Sequence, residues 1–340
     1  MASLKNRMKL ELGLLSRALI VATFALIAAV NACAQTAATA YPSKPVRLVH
    51  GFPAGGPADI FSRVIAQKLT EVVGQQVIVD SRPGAGSIIA TEFVAKAPAD
   101  GYTVYFASSA ILALYANLYS KLPYDLNRDF VPVTLAVAVP ELLVVHPSLP
   151  TKTAREFVAL ARANPKQLIY GSTGNGNMPH LAMESFRIAA GINLLHVPYK
   201  GAAPAVTDLL GGHVHATILD VPVLLPHVKS GKVRALAIAT GKRSPALPEV
   251  LTMAEAGYPS VIADNWYGVI VAAATPKDIL AKLHASLVSA LQSPETKQRM
   301  ESQGANALSS SPEELAAYMR NETAKWGKII KAAGIKLDAQ

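Results

Sequence analysis

The order of apolar segments between Val46 and Phe106 constrains the fold of this chain more than any other feature of its sequence. Short apolar runs at residues 46–50, 77–79 and 102–106 have the length of buried strands, and the segments between them carry apolar residues at helical spacing. This strand, helix, strand, helix, strand order predicts a parallel sheet with right-handed crossovers. Ligands bind beyond the carboxyl ends of such strands, where this chain has loops at residues 51–57, 80–87 and 107–109.

The first of these loops is rich in glycine and proline and leads into a helix with an acidic first turn. Residues 52–56 can present a row of backbone N–H groups at the helix N-terminus, where the partial positive charge favours an anion. We therefore expect half of a carboxylate site here. Another interpretation stays open, in which the loop is an ordinary tight turn and Asp59 serves the helix dipole.

The same pattern returns in the second part of the chain. Thr153 and Glu156 have the spacing of a capping box at a helix start. Strands predicted at residues 168–170 and 194–197 run into loops at residues 172–177 and 198–204, and further strands are predicted at residues 213–219 and 233–240. The polar loop between Gly171 and Pro179 is expected to supply the other half of the site.

Two single residues at strand ends are further candidates. Ser108 follows the predicted strand at residues 102–106, and Asp220 follows the one at residues 213–219. Each can face the cleft, or each can cap the next helix. The pattern leaves both readings open.

The tail of the chain is predicted to be mostly helical, with helix starts at Pro276 and Pro312 and a strand at residues 268–271. Helices alone need a sheet to cover, so the tail is expected to return to the first lobe. The prediction is an α/β protein of two lobes, each a mainly parallel sheet flanked by helices. Lobe 1 comprises residues 35–137 and 261–340, lobe 2 comprises residues 138–260, and two chain crossings form a hinge.

The first 34 residues have the features of a secretory signal peptide. Basic residues precede an apolar run from Ala18 to Val30, and Ala32, Cys33 and Ala34 resemble a cleavage site. We expect export to a periplasm, with cleavage after Ala34 removing the one cysteine of the chain. In the alternative, Cys33 carries a lipid anchor.

Charge and the remaining motifs exclude several classes of function. The net charge is +9, but the basic residues are scattered without interleaved aromatic residues, which argues against a nucleic-acid surface. Gly84 and Gly86 lack the third glycine of a dinucleotide loop, and nothing near His213 and His215 supplies a third metal ligand. No cofactor or metal is expected. An enzyme is disfavoured because there is no Gly-x-Ser-x-Gly elbow and neither Ser108 nor Ser172 has an identifiable histidine partner.

Several short motifs, in this order and spacing, resemble one known family. They are Tyr41-Pro-Ser-Lys-Pro45, Phe52-Pro-Ala-Gly-Gly-Pro-Ala-Asp59, Arg82-Pro-Gly-Ala-Gly86, Asp100-Gly-Tyr102, Leu122-Pro-Tyr-Asp125, Asp129-Phe130, Val197-Pro-Tyr-Lys-Gly201 and Asp208-Leu-Leu-Gly-Gly-His213. The chain resembles the Bug-type, TctC-like periplasmic solute receptors of tripartite tricarboxylate transporters. This resemblance implies a monomeric periplasmic-binding-protein (Venus flytrap) fold that captures a small carboxylate and delivers it to membrane permease subunits. A sensor that docks on a signalling partner is the alternative.

The resemblance also implies which residues hold the ligand. In this family backbone groups and waters from loops of both lobes typically hold the carboxylate. Carried over to this sequence, together with the strand-end candidates Ser108 and Asp220, the expected ligand-binding residues are Phe52, Pro53, Ala54, Gly55, Gly56, Asp59, Ser172, Thr173, Asn175, Gly201, Ala202 and Ala203.

The sequence departs from the family pattern at three places. Ala58 stands where a hydroxyl residue is usual, Ser87 and Ile88 replace a common Gly-Asn pair, and Ala272-Ala-Ala274 replaces Pro-Ala-Gly. We expect an apolar or aromatic acid as ligand, because Ile88 and Phe52 are apolar. His180 is expected to be a structural hydrogen-bonding residue, and Trp266 and Tyr267 are expected to pack at the hinge.

Overall fold

The structure, a computed structural model, describes residues 41–337, and the chain from Lys44 onward forms one compact unit. The predicted signal peptide, with Cys33, lies outside the described residues. None of the helices within residues 41–337 combines the length and apolar character that a membrane span requires.

The first part of the chain alternates strands and helices as predicted. Its elements are β1 (Val46–His50), α1 (Pro57–Val73), β2 (Val77–Ser81), a 3₁₀ turn (Ala85–Ser87), α2 (Ile88–Ala95), β3 (Thr103–Ser108), a π-helical turn (Ala110–Leu114), α3 (Tyr115–Leu118), α4 (Leu126–Asp129) and β4 (Phe130–Val145).

The second part repeats the alternation, and a helical tail follows it. Its elements are α5 (Ala154–Ala163), β5 (Ile169–Ser172), α6 (Met178–Ala190), β6 (Leu195–Pro198), α7 (Ala202–Leu210), β7 (Ala216–Asp220), α8 (Val221–Lys229), β8 (Arg234–Ile238), β9 (Asp264–Ala272), α9 (Lys277–Gln292), α10 (Pro294–Ser302), β10 (Asn306–Ala307) and α11 (Pro312–Ala333).

The strands combine two parallel groups with antiparallel strands between them. The order is β2-β1-β3-β9-β4-β7-β5-β6, with β8 and β10 also paired to β4. β1 is parallel to β2 and β3, and β5 is parallel to β6 and β7, whereas β9 is antiparallel to β3 and β4. The α/β fold is as predicted, and the antiparallel pairings of β4, β8, β9 and β10 make the sheets mixed, where mainly parallel sheets were expected.

The long strand β4 changes its partners along its length. From Phe130 to Pro140 it pairs with β9, and from Glu141 to Val145 it pairs with β7. The change falls where Pro140 offers no N–H group to a ladder. One continuous strand therefore bonds both to β9, which is the antiparallel neighbour of β3, and to β7 of the second parallel group.

Local signals in the sequence explain most element boundaries. Ser311 and Glu314 form a complete capping box at the start of α11. At α5 the Thr153 hydroxyl accepts from the Glu156 N–H, but the Glu156 carboxylate accepts from the N–H of Lys152 rather than that of Thr153. The strand predicted at residues 213–219 begins only at Ala216, because the His213 and Val214 N–H groups bond back to Asp208 at the end of α7.

A continuous apolar core lies between the sheet and its helices. Its largest fully buried side chains include Phe157, Tyr170, Phe186, Trp266 and Trp326. Trp266 packs edge-on against Tyr318 of α11, with the ring centroids 4.9 Å apart, and its indole N–H faces Glu322. This contact joins the return strand β9 to the C-terminal helix.

Candidate functional site

The loops that follow the carboxyl ends of β1, β3, β5, β6 and β7 line one cavity. Its volume is about 610 Å³, including the open mouth. The return strand β9 contributes two further side chains. The lining residues are Phe52, Pro53, Ala54, Gly56, Pro57, Ala58, Ser108, Ala110, Thr173, Asn177, Met178, Pro179, Lys200, Gly201, Ala202, Ala203, Pro204, Asp220, Asn265 and Tyr267. The cavity thus lies at the position that a parallel sheet favours for a ligand.

Four helices begin at this cavity. The residues that precede α1, α6, α7 and α8 are Gly56, Asn177, Gly201 and Asp220, and all four line it. The first N–H groups of a helix have no partner within the helix, and the helix dipole places partial positive charge there. Four such ends around one cavity favour an anionic guest.

The loops of the two halves approach each other across the cavity. A Cβ atom added to Gly201 would lie 3.7 Å from Cγ of Pro53, and Gly201 has a φ of +113°. The first loop and the β6–α7 loop are therefore in near contact, at a backbone conformation that favours glycine.

Asp59 supports the first loop from behind rather than lining the cavity. Its carboxylate accepts from the Gly55 N–H at 3.0 Å and from Nε of Arg63 at 2.8 Å, and it lies 3.6 Å from Nε2 of His50. Burial alone would raise the pKa of Asp59, but the hydrogen bonds from Arg63 and Gly55 and the Arg63 charge lower it overall. An ionised Asp59 thus holds the loop, and Gly55 is turned outward with an exposed backbone.

Ser172 and Asn175 also do not line the cavity. Asn175 is exposed to solvent. The Ser172 hydroxyl lies 2.7 Å from Nε2 of His196, so the expectation that this serine has no histidine partner is wrong. The partner comes from the neighbouring strand, since β5 and β6 are parallel and Tyr170 pairs with His196 in their register.

The histidine beside Ser172 is a poor general base. Its ring stacks on His180 and Tyr170, with centroids 4.1 Å and 4.7 Å apart. Burial, and then the neighbouring His180, lower the pKa of His196 to about 3. A serine paired with so weak a base is not an activated nucleophile. His180 accepts from the Gly176 N–H at 3.1 Å, which gives it the structural role expected for it.

The remaining expected residues meet at the cavity. Thr173, Gly201, Ala202 and Ala203 line one side, and Phe52, Pro53, Ala54 and Gly56 line the other. Ile88 is not part of the lining, because it packs partly buried against the hydrophobic core. Ala58 lines the cavity with its small apolar side chain.

Four polar side chains form the floor of the cavity: Ser108, Asp220, Asn265 and Tyr267, here called the floor cluster. The Asn265 amide nitrogen donates to Oδ1 of Asp220 at 2.8 Å and to the Tyr267 hydroxyl at 3.3 Å. The side chain of Asp220 makes no capping bond to α8, although the residue holds the N-cap position. Ser108 is 3 % exposed, and its hydroxyl has no hydrogen-bond partner among the described residues.

Two buried carboxyl groups lie at this floor and just behind it. Burial raises the pKa of Asp220 to about 7, although the hydrogen bond from Asn265 acts in the opposite direction. Glu141 on β4 pairs with Asp220 in the strand register and is fully buried, and neither carboxyl oxygen has a hydrogen-bond partner among residues 41–337. Burial, and then Asp220 and Asp264, raise the pKa of Glu141 well above its usual value.

Several residues that line the cavity were not predicted from the sequence. Two of them, Asn177 and Lys200, lie within the predicted loops at residues 172–177 and 198–204. Asn265 had no local signal, because its partner Asp220 is distant in sequence and the two meet only through β4. Tyr267 was expected to pack at the hinge, and it does stack on Phe106, with the ring centroids 4.8 Å apart, but it also faces the cavity.

Comparison with known proteins places the chain in a family. The family model described as the tripartite tricarboxylate transporter family receptor matches residues 61–335. Protein BugT of Bordetella pertussis is 37% identical over 312 residues, which cover 92% of this chain and 96% of BugT.

Solved structures agree with this match. The R. palustris protein Rpa4515, solved with adipate, has a TM-score of 0.84 at 36% identity, and the alignment covers 88% of this chain and 100% of that one. MatC from Rhodopseudomonas palustris, solved with bound malate, has a TM-score of 0.79 at 29% identity and covers 85% and 100%. The periplasmic binding protein BugD has a TM-score of 0.82 at 33% identity and covers 88% and 100%. The chain therefore belongs to the Bug-type receptors of the tripartite tricarboxylate transporter family, which are periplasmic solute-binding proteins.

Proposed function

We propose that this receptor captures a small organic carboxylate in the cavity between its two halves and delivers it to the permease subunits of a tripartite tricarboxylate transporter. The observation that carries the proposal is the meeting of four helix N-termini at one cavity. Backbone N–H groups hold carboxylate oxygens through charge-assisted hydrogen bonds, so a paired cation in the site is unnecessary. Solved relatives hold the dicarboxylates adipate and malate.

In this proposal two lobes close around the ligand. Lobe 1 comprises residues 35–137 and 261–340, and lobe 2 comprises residues 138–260. The change of partners along β4 at Pro140 and Glu141, and the start of β9 at Asp264, support crossings near these boundaries. Because only the closed form makes contacts from both lobes, the ligand populates that form, and the permease reads its shape.

The loop residues divide into those that contact the ligand and those that hold the loops in place. The residues that contact the ligand directly are Phe52, Pro53, Ala54, Gly56, Thr173 and residues 201–203. Asp59 and Gly55 shape the first loop, and Ser172 shapes the second through its hydrogen bonds with Gly174. The protein acts as a monomer without a catalytic step, and residues 1–34 direct its export. The low pKa of His196 supports the absence of serine chemistry at Ser172.

Calorimetry with a panel of mono-, di- and aromatic carboxylates, including adipate and malate, tests this function. At least one acid is expected to bind and to raise the melting temperature, because a ligand that binds only the folded state stabilises it. X-ray scattering should show a more compact particle in its presence. If no acid of the panel gives heat of binding or raises the melting temperature, the proposal is refuted.

Replacement of Ser108 by alanine is expected to weaken binding without lowering stability. The hydroxyl has no partner among the described residues, so its removal breaks no bond of the free protein. If it donates to the ligand, its loss raises Kd by about 3- to 10-fold, the worth of one hydrogen bond. Titration calorimetry and thermal unfolding of the variant measure both effects.

Ser109→Ala is the matched control. The Ser109 hydroxyl donates to Oδ1 of Asn265 at 3.0 Å, so its loss breaks a bond of the free protein and should lower the melting temperature. Ser109 does not line the cavity, in contrast to Ser108. Unchanged affinity of Ser108→Ala for every acid that binds would contradict a ligand role for Ser108.

A further inference from the structure

The directions of the hydrogen bonds in the floor cluster leave its hydroxyl protons free. The Asn265 carbonyl oxygen accepts from Ser109, so its amide nitrogen is the atom that donates to Asp220 and to Tyr267. The Tyr267 hydroxyl is thus an acceptor from Asn265, and its own proton can point into the cavity. The Ser108 hydroxyl, which is buried and unpartnered among residues 41–337, can donate there as well.

Asp220 can donate a hydrogen bond, as these hydroxyl groups do, only when its carboxyl group carries a proton. Its Oδ1 atom already accepts from Asn265, so a proton on Asp220 resides on Oδ2. In that form the floor presents three O–H donors. In the ionised form it presents a negative charge to any carboxylate in the same cavity, and two like charges at contact distance in a buried site repel strongly.

The groups that face Asp220 are acidic or neutral. β4 contributes Glu141, which is opposite Asp220 in the strand register, and β9 contributes the neutral Asn265 and Tyr267. β3 contributes the neutral Ser108, and α8 begins with the apolar Val221 and Pro222. No ion pair to Asp220 occurs in the described part of the chain, and Lys200, which lines the same cavity, is exposed at its edge. This environment disfavours an ionised Asp220.

We propose that Asp220 binds the ligand as a neutral carboxylic acid, donating its proton to a ligand carboxylate oxygen, so that capture of the anion takes up one proton from solvent. The inference rests on the proposed function and adds a specificity rule to it. The floor accepts an oxygen that receives hydrogen bonds, as carboxylate oxygens do, and rejects a group that only donates, such as an ammonium. Binding then tightens as the pH falls.

Calorimetry at pH 6.5 and pH 8.0 tests the proton uptake, with adipate as the probe because its two carboxyl groups are essentially ionised at both values. Because burial places the pKa of Asp220 at about 7, Kd is expected to be roughly tenfold weaker at pH 8.0. Measurements in two buffers of different ionisation enthalpy count the protons, and about one per ligand is expected at pH 8.0. If adipate does not bind, whichever acid of the panel binds takes its place.

Asp220→Asn is the decisive variant. An asparagine can accept from Asn265 through its carbonyl oxygen and donate to the ligand through its amide nitrogen, as the protonated acid does. It should bind with the wild-type affinity of pH 6.5 at both pH values, and hence about tenfold more tightly than wild type at pH 8.0. Glu301→Met, which replaces an exposed acid of α10 that does not line the cavity, is the control and should keep the wild-type pH profile.

Two results would overturn the inference while the proposed function stands. One is a wild-type affinity that is independent of pH, with no proton uptake. The other is loss of binding in Asp220→Asn at both pH values, which would show that the ligand needs the ionised carboxylate. A different outcome is that no acid of the panel binds at either pH value. That result refutes both the proposed function and the inference.

Discussion

Replacement of Gly51 by alanine is expected to destabilise the protein by about 3 kcal/mol and to abolish ligand binding. A Cβ atom at this position would lie 2.3 Å from Cβ and 2.7 Å from the backbone Cα of Ser87. Ser87 is itself buried and held in a left-handed backbone conformation, with a φ of +80°, so it cannot move aside cheaply. The two loops must then separate, and the first loop, which begins at Phe52, is displaced from the cavity.

Urea unfolding followed by circular dichroism measures the loss of stability, and calorimetry with the acid that wild type binds measures the loss of affinity. Gly241→Ala is the control, because a Cβ there meets open space at an ordinary backbone conformation. The control should stay within about 0.5 kcal/mol of wild type. Equal unfolding midpoints for Gly51→Ala and wild type would show that the 3₁₀ turn and the β1–α1 loop are not packed as described.

Replacement of Glu141 by methionine is expected to stabilise the protein at neutral pH by about 1–3 kcal/mol, the cost of a buried polar group without a partner. Glu141 is fully buried, both oxygens lack a hydrogen-bond partner within residues 41–337, and methionine has a similar shape. Burial, followed by Asp220 and Asp264, raises the pKa of Glu141 well above the 4.5 of an exposed glutamate. The folded protein therefore retains a proton that the unfolded chain releases.

The sign of the pH dependence follows from that proton. Wild-type stability should fall as the pH rises above 4.5, because the unfolded chain binds fewer protons than the folded one. The advantage of the variant is thus largest at pH 7.5 and smaller at pH 5, which urea unfolding at both values can measure. Glu301→Met on the exposed face of α10 is the control and should change little. A less stable Glu141→Met variant at pH 7.5 would mean that Glu141 is well paired in solution.

The sequence predicted the order of elements and the rim of the site because both depend on local patterns. Helical and strand periodicity, glycine at the end of α1 and the capping box at Ser311 are set by neighbouring residues. Loops at the carboxyl ends of parallel strands share one edge, so Phe52 and Ser108 lie at the ends of β1 and β3 at one edge, and Thr173 and Gly201 follow β5 and β6 at another. The carboxyl ends of the two groups meet from opposite sides at the middle of β4, so the two edges face each other across the cavity.

Contacts between distant segments could not be predicted in the same way. The Ser172–His196 pair depends on the register of β5 against β6, and the Asn265–Asp220 hydrogen bond depends on β4 lying between β9 and β7. Within one loop, residue type does not show which side chain turns inward. The Asp59 carboxylate accepts hydrogen bonds from Arg63 and Gly55 and so does not line the cavity. The direction of this side chain depends on the folded loop, so the sequence did not predict it.

The shared strand β4 has a consequence for how the molecule melts. Its first eleven residues complete the ladder with β9, and its last five complete the ladder with β7, within one uninterrupted segment. If the half of the protein around β9 unfolds, or the half around β7, the other half loses a neighbouring strand and the backbone hydrogen-bond partners on it. The two halves are consequently thermodynamically interdependent, and heating should produce one cooperative calorimetric peak in place of two separate domain transitions.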